Sequence, residues 1–588
     1  SRVPKWFKIM SLVNGAYSGC SMNLHRCLFV LWRSFAWAIL CLTRVSLAVS
    51  CGDVLKLGTK ESPLPALHER VAQLGIELAR FLAAPWQTTG ETYADAFRKC
   101  SIYTASPNMS KPAMSLVECA SEMAFEGVGH HVDAVLPLLF AAWYAEPDNL
   151  ECASMLAEAM YNIGCDDDAW VLVAPHIDWS VSSQRPIRML CLWALLAPQH
   201  GLHAIAQEQL ELLLAEDLEL EYRARLHMVL AEIHKSAGSP AKAFKHTVEM
   251  KTSFKAMMFP GQKIERWRKH LQLTINAVFQ GQHEPDMYDW QHVLGSGSDV
   301  GKNSVEDVQP IFIFGLHRSG TTLLQAILGA HPDVIPMGED PLVVNILRRW
   351  FYNEDEDSWG APKHVPPSAF ADAAKVVQSK LNAAALKALE LDRWLSREQD
   401  ASGPLPRKRL FVTNSHASMF WLVRAIRMLF PHAPMVHIRR DLRDVATSIY
   451  TKSFDQLPWS FSFSDIAAHM RAYFSVMQLW ESQLASPFIQ VHYDDLVDQP
   501  NETVRTLLER LGLDSGVSSV QTCLNFAQDS NQRRIYPLAS YRQVLKPISR
   551  PPVSQWQKIR EFLPAEDRTA IEEIALTQSR NRLQEKRK

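Results

Sequence analysis

The sequence predicts an α/β domain with a P-loop-like parallel sheet flanked by helices, preceded by an all-α helical-repeat domain. Three observations carry this. From Pro310 to His331 the chain reads PIFIFGLHRSGTTLLQAILGAH, an apolar strand that runs through a glycine loop into a helix. From Pro434 to Tyr450 it reads PMVHIRRDLRDVATSIY, the same strand-to-helix order. Between about Pro63 and Gln282 the text is rich in Ala and Leu at three and four spacing, with turns marked by Gly, Pro and Asp. Continuous apolar runs suit strands covered on both faces, and the three and four spacing suits helices that bury one stripe. At 588 residues the chain exceeds one ordinary core.

Residues 1–60 read as a leader. From Cys27 the sequence is apolar but broken by Arg33 and Arg44, so Ser34 to Thr43 is the longest clean run, shorter than a membrane span and suited to a signal-peptide core. Ala48, Val49 and Ser50 would form a small-residue cleavage site, and initiation at Met22 would place His25 and Arg26 in the charged leader. An incomplete start and a signal anchor are equal alternatives. A true signal or anchor implies the secretory pathway or Golgi, its absence the cytoplasm.

Residues 61–283 form the helical-repeat domain. NLECASMLAEAMYNIG (Asn149 to Gly164) and YRARLHMVLAEIHKSAG (Tyr222 to Gly238) each end at a glycine followed by a second helical stretch. They resemble degenerate tetratricopeptide repeats, whose helices bury their faces by stacking on neighbours. Such surfaces accept a peptide or protein partner; a rigid spacer is the other reading. Residues 284–309, with Gly-Ser and Asp clusters, read as a linker.

Residues 310–588 hold the chemistry. Ile311 to Phe314 are strand, and Gly315 to Thr322 spell G-x-x-x-x-G-T-T, the length of a Walker loop with Thr321 at its lysine position. That change removes the main contact for triphosphate transfer and disfavours a P-loop kinase. Arg318 supplies the cation instead, while the amides from Ser319 through Gly320, Thr321, Thr322 and Leu323 face the same anion from a helix N-terminus. Arg440 and Ser448, eight residues apart, fall on one side of the start of the second helix, where they could share a phosphate. A solvated helix face is the plainer alternative.

The loop His317 to Leu323 resembles that of the sulfotransferases using 3′-phosphoadenosine 5′-phosphosulfate (PAPS), which reads P-R-S-G-T-T-L; His317 replaces the proline. The resemblance implies that this loop holds the 5′-phosphosulfate and that Arg440 and Ser448 hold the 3′-phosphate, with no metal required. FIQVHYDDLV, from Phe488, is similar to the family's next strand and places Tyr493 near the adenosine. QVLKPISRPPVSQW, from Gln543, resembles a segment of the tyrosylprotein sulfotransferases and makes Lys546 a lysine that closes over the nucleotide. The likeness spans Pro310 to Pro564, and fusion to helical repeats is the arrangement of the tetratricopeptide-repeat sulfotransferases.

Two residues compete as the base for the acceptor hydroxyl. Glu339, with Asp340 beside it, follows a short strand predicted over Val334 to Met337, and the family keeps a glutamate there. His416, in RLFVTNSHASMF, matches the base of the cytosolic members and has the pKa nearest neutrality. The preceding position is usually lysine in the tyrosylprotein and repeat-containing members and is Ser415 here, which keeps open a weakly active or inactive nucleotide-binding scaffold.

Nine of the ten cysteines precede residue 192, without metal-ligand spacing. The tyrosylprotein members have disulfide cysteines where this chain has Met337 and Thr413, which weakens an oxidising-compartment reading. A net charge of -2 leaves no basic footprint for nucleic acid. The acceptor is a hydroxyl on a protein, as on tyrosine, on a glycan or on a small molecule, selected by loops such as Tyr352 to Pro367 and Ser453 to Ser462.

Overall fold

The computed structural model describes residues 148–280 and 308–585, together with Leu139 and Trp143, except residues 163, 178–185, 262, 340–341, 354–357, 360–366, 396–410, 415–416, 453, 455–456, 484–487, 527–547 and 549–553. A five-stranded sheet lies at the centre of the C-terminal part. Its strands are β1 (Gln309–Phe314), β2 (Val334–Pro336), β5 (Phe411–Asn414), β6 (Met435–Arg439) and β7 (Ile489–His492), in the order β2-β5-β1-β6-β7. All four pairings are parallel. Between β2 and β5, a two-residue pair β3 (Tyr352–Asn353) and β4 (Ser358–Trp359) forms an antiparallel ribbon in a stretch expected to be loop.

The buried run at β1 has the cause the sequence implies. Ile311 and Ile313 share a core with Leu324 and Ile327 of the Thr321–Gly329 helix and Leu508 of the Pro500–Leu511 helix. Phe312 and Phe314 face the other way, into a core with Ile426, Val445 and Ile466. Both faces are therefore covered, as a parallel sheet requires. From β1 the chain moves to one side for β2 and β5, then crosses to the other for β6 and β7. That reversal opens a crevice at the carboxyl ends of β1 and β6.

N-terminal to the sheet, the described residues are helices and turns. The predicted Gly164 and Gly238 stops follow the helices Leu150–Asn162 and Leu220–Ser236, with φ of 88° and 70°, a conformation glycine adopts without a Cβ penalty. The helices Asp166–Val173 and Pro240–Met258 come next. Cys165 is disulfide-bonded, its partner lying outside the described residues. No helix of the described residues is long and apolar enough to cross a membrane; the apolar segment from Cys27 lies outside them.

Residue 309, assigned above to the linker, is the first residue of β1 and pairs with Phe411, because its side chain is buried with the rest of the strand. The helical segment also touches the α/β part directly. Arg268 grips Asp465 through two hydrogen bonds, Nε to Oδ1 at 2.7 Å and Nη2 to Oδ2 at 3.1 Å. Lys251, 2% exposed, donates to Ser460 Oγ at 3.4 Å and lies 4.9 Å from the Phe461 ring centre. Phe244 and Val278 belong to the same core as Tyr450 and Trp459.

A buried polar group fastens β6 to its flanking helix. His437 Nδ1 meets Glu481 Oε1 at 3.1 Å, and the Tyr473 hydroxyl meets His437 Nε2 at 2.8 Å. Arg439 and Gln490 also donate to Glu481. Burial pushes the Glu481 carboxyl up, but His437 and Arg439 outweigh it and hold it at about 2. A depressed carboxyl contributes stability above its ordinary pKa, and that contribution fades as pH falls from 4.5 toward 2. Glu481→Gln is expected to cost roughly 2–3 kcal/mol at neutral pH. In calorimetric unfolding the gap to wild type should narrow across that acidic window; a gap constant with pH would contradict this assignment.

Candidate active site

The site is built on the loop after β1. A Cβ on Gly315 would stand 2.5 Å from Ser319 Oγ and 2.8 Å from Ile438 Cγ2, so only glycine lets the loop fold back on β6. The Ser319 amide donates to the Leu316 carbonyl at 3.0 Å and closes the turn. Sequence reasoning had that amide facing the anion; the tight turn consumes it. The helix starts at Thr321 with Gly320 as its cap, and its first-turn amides have no intrahelical acceptor. Thr322 and Leu323 are buried, so each offers the site its backbone, while Thr321 is half-buried.

Arg318 is the one non-glycine residue with positive φ among the described residues, at 70°. Its strained backbone sends the guanidinium back across the crevice, where Nε donates to Ser448 Oγ at 3.0 Å. Arg440 stands just before Asp441, the side chain that caps the Leu442–Tyr450 helix. Its Nη1 donates to the Arg318 carbonyl at 3.2 Å, and its guanidinium lies 4.2 Å from the centre of the Tyr493 ring. Tyr493 in turn covers the loop, since a Cβ on Gly320 would be 2.7 Å from its Cδ2. Ser448 sits in the last turn of its helix, away from the helix start where sequence spacing placed the pair. Both Arg440 and Ser448 are tied to Arg318.

Glu339 reaches the same place from β2. The Met337 amide extends the strand by donating to the Thr413 carbonyl at 3.0 Å, then Gly338, at φ 68°, turns the chain. Burial and, after it, the neighbouring Arg440 lower the Arg318 pKa to about 10, against the opposing pull of Tyr493 and Glu339. The guanidinium stays charged at neutral pH. His416, Ser415, Asp340 and Lys546 lie outside the described residues.

Three features escaped the sequence reading. His317, at the family's proline position, packs against Trp459 at 5.3 Å and Phe454 at 6.0 Å between ring centres. Gln578, on the Ala565–Glu585 helix, donates to the Arg440 carbonyl at 2.9 Å. Lys452, half-buried just after the Leu442–Tyr450 helix, meets Glu232 of the helical segment at 3.4 Å. No local pattern marks such contacts, although a lysine four residues beyond Ser448 was a weak sign.

The donor set fits an anion with several oxygens. Two arginines converge on the loop, and the Ser319 hydroxyl, 2% exposed, has no hydrogen-bond partner. Buried hydroxyls rarely stay unpaired, so this one is available to a ligand.

Comparison with known proteins agrees with that chemistry. The model described as "Sulfotransferase family" matches residues 310–516. These residues form a sulfotransferase-family domain. An "Uncharacterized protein" of Aquifex aeolicus (strain VF5) is 27% identical over 265 residues, 43% of this chain and 31% of that protein. "Protein-tyrosine sulfotransferase 1" of Danio rerio is 25% identical over 258 residues, 43% of this chain and 66% of the relative. "Protein-tyrosine sulfotransferase" of Drosophila melanogaster is 26% identical over 261 residues, 42% of this chain and 46% of the relative. The chain thus spans less than two thirds of each of these relatives. The solved sulfotransferase domain of the Synechococcus PCC 7002 olefin synthase superposes with a TM-score of 0.29 at 19% identity, over 46% of this chain and 95% of that domain. Within this sulfotransferase domain, Arg318, Ser319, Glu339, Arg440, Ser448 and Tyr493 all fall inside the matched residues.

Proposed function

We propose that this chain transfers a sulfuryl group from PAPS to a hydroxyl acceptor. The observation that carries the proposal is the convergence of Arg318, Arg440 and the unpartnered Ser319 hydroxyl on one loop of a sulfotransferase-family domain. PAPS supplies an activated sulfuryl group on a phosphate leaving group. Arg318, Ser319 and the amides of the Thr321–Gly329 helix would hold its phosphosulfate end, and Arg440 with Ser448 its 3′-phosphate. The Tyr493 ring would stand beside the adenosine, with Lys546 closing over it. Glu339 takes the proton of the acceptor hydroxyl, and Arg318 stabilises negative charge on the leaving oxygen. His416 is the alternative base.

The acceptor class favoured here is protein tyrosine, supported by the names of the Danio and Drosophila relatives. The paired helices before the sheet support a tetratricopeptide-like surface that presents a protein partner.

Incubation with PAPS carrying radioactive sulfur and an extract of the source organism tests the proposal. Label is expected in the protein fraction, as tyrosine sulfate. Label in polysaccharide or small molecules would move the acceptor class. Binding of adenosine 3′,5′-bisphosphate without label in any fraction would favour the second reading, an inactive nucleotide-binding scaffold, which Ser415 at the usual lysine position motivates.

A further inference from the structure

His317 and Arg318 are consecutive, and the left-handed backbone at Arg318, φ 70°, parts their side chains. Arg318 turns to Ser448 on the nucleotide side, while His317 packs on Trp459 and Phe454 at 5.3 Å and 6.0 Å between ring centres. In a direct transfer the acceptor oxygen must be aligned with the sulfur, opposite the leaving phosphate oxygen. The aromatic wall on the far side of Arg318 therefore flanks the approach of the acceptor. His317 and Phe454 are half-buried, and behind them Trp459 lies flat on the His469 ring, 4.0 Å away at 8°.

This wall hangs on the helical segment. Trp459 and Ser460 belong to the Pro458–Phe461 turn, and Ser460 is fully buried. The Ser460 hydroxyl donates to the Phe454 carbonyl at 3.0 Å, and its amide donates to the Leu457 carbonyl at 2.9 Å. The same hydroxyl accepts from the Lys251 ammonium at 3.4 Å, out of the Pro240–Met258 helix and 209 residues away in sequence. Lys251, 2% exposed, also lies 4.9 Å from the Phe461 ring centre and 5.7 Å from that of Tyr450. A desolvated ammonium over aromatic faces is held firmly. Phe259 of the helical segment meets the Phe461 ring edge-on at 5.3 Å. One buried lysine thus fixes the turn, and through Ser460 it fixes Phe454 as well.

We infer that Lys251 is a positioning residue for the acceptor: it seats the Pro458–Phe461 turn and with it the Phe454, Trp459 and His317 rings, against which an aromatic hydroxyl compound such as a tyrosine side chain would lie. This rests on the acceptor reading above. The contacts of Arg318 with Ser448 and of Arg440 with Tyr493 run through other elements. A turn that is seated for only part of the time weakens its ligand in proportion to that fraction. The helical segment therefore sets acceptor affinity without touching the reacting atoms.

Steady-state kinetics of the full chain with PAPS and a tyrosine-containing peptide, beside titration calorimetry with adenosine 3′,5′-bisphosphate, tests this. Lys251→Met keeps the apolar stem and removes the ammonium. It should raise the peptide KM about tenfold, the worth of one charge-assisted hydrogen bond, with kcat and bisphosphate affinity within about twofold of wild type. Ser460→Ala, a smaller change, should show the same split between KM and kcat. The double variant should be no worse than Ser460→Ala alone, since both substitutions break one link. A wild-type peptide KM in Lys251→Met, additive losses in the double variant, or a matching loss of bisphosphate affinity would overturn the inference while leaving the PAPS reading intact. A wild-type chain that binds the bisphosphate but sulfates no tyrosine peptide would overturn the acceptor reading, and this inference with it.

Discussion

Arg318→Ala is expected to weaken binding of adenosine 3′,5′-bisphosphate by at least about a hundredfold, the combined worth of two charge-assisted hydrogen bonds. The guanidinium is the hub of the crevice's contacts. It holds Ser448, its carbonyl holds Arg440, and Arg440 in turn lies on Tyr493. One truncation therefore removes a ligand contact and loosens the two elements that define the rest of the site. The backbone offers a control. At φ 70° an alanine carries a left-handed strain of about 1 kcal/mol that glycine does not. Arg318→Gly should thus be at least as stable as Arg318→Ala yet bind as poorly, which separates lost contacts from lost folding. Unchanged affinity in either variant would place the 5′ site elsewhere.

Glu339→Gln should lower turnover by about 10²–10⁴-fold, the range of a positioned general base, while nucleotide affinity changes little. Glutamine keeps the size of the side chain and its ability to lie beside Arg318 but cannot accept the acceptor proton. The acid limb of the wild-type pH profile, where a carboxylate base gains its own proton, should disappear in the variant. His416→Ala is the companion. If it abolishes turnover while Glu339→Gln does not, the histidine is the base and Glu339 only tempers the charge of Arg318.

Much of this site was legible without coordinates because its parts are local. Four apolar residues bounded by Gly315 suit a strand covered on both faces, and the glycines of the loop answer steric needs that a sequence displays directly. At Gly315 the space is taken by Ser319 and Ile438, and at Gly320 by Tyr493. The spacing of Arg440 and Ser448 was equally visible, but its meaning changed. Both residues converge on Arg318, a third group 122 and 130 residues away in sequence. Sequence reasoning also treated the Ser319 amide as open to a ligand, and the turn back to Leu316 uses it.

By itself the sequence determined the order of strands and helices, the phosphate-type loop and the cation within it, since each depends on residues a few positions apart. Tertiary structure alone decided which charges share the crevice. Glu339 arrives there because β2 lies at the sheet edge beside β5 and its chain turns at Gly338. Lys452 finds its carboxylate on a helix from the other part of the molecule. Coulombic and hydrogen-bonding partners are chosen by distance in space, and no periodicity or local motif encodes a distance between elements that packing has yet to bring together.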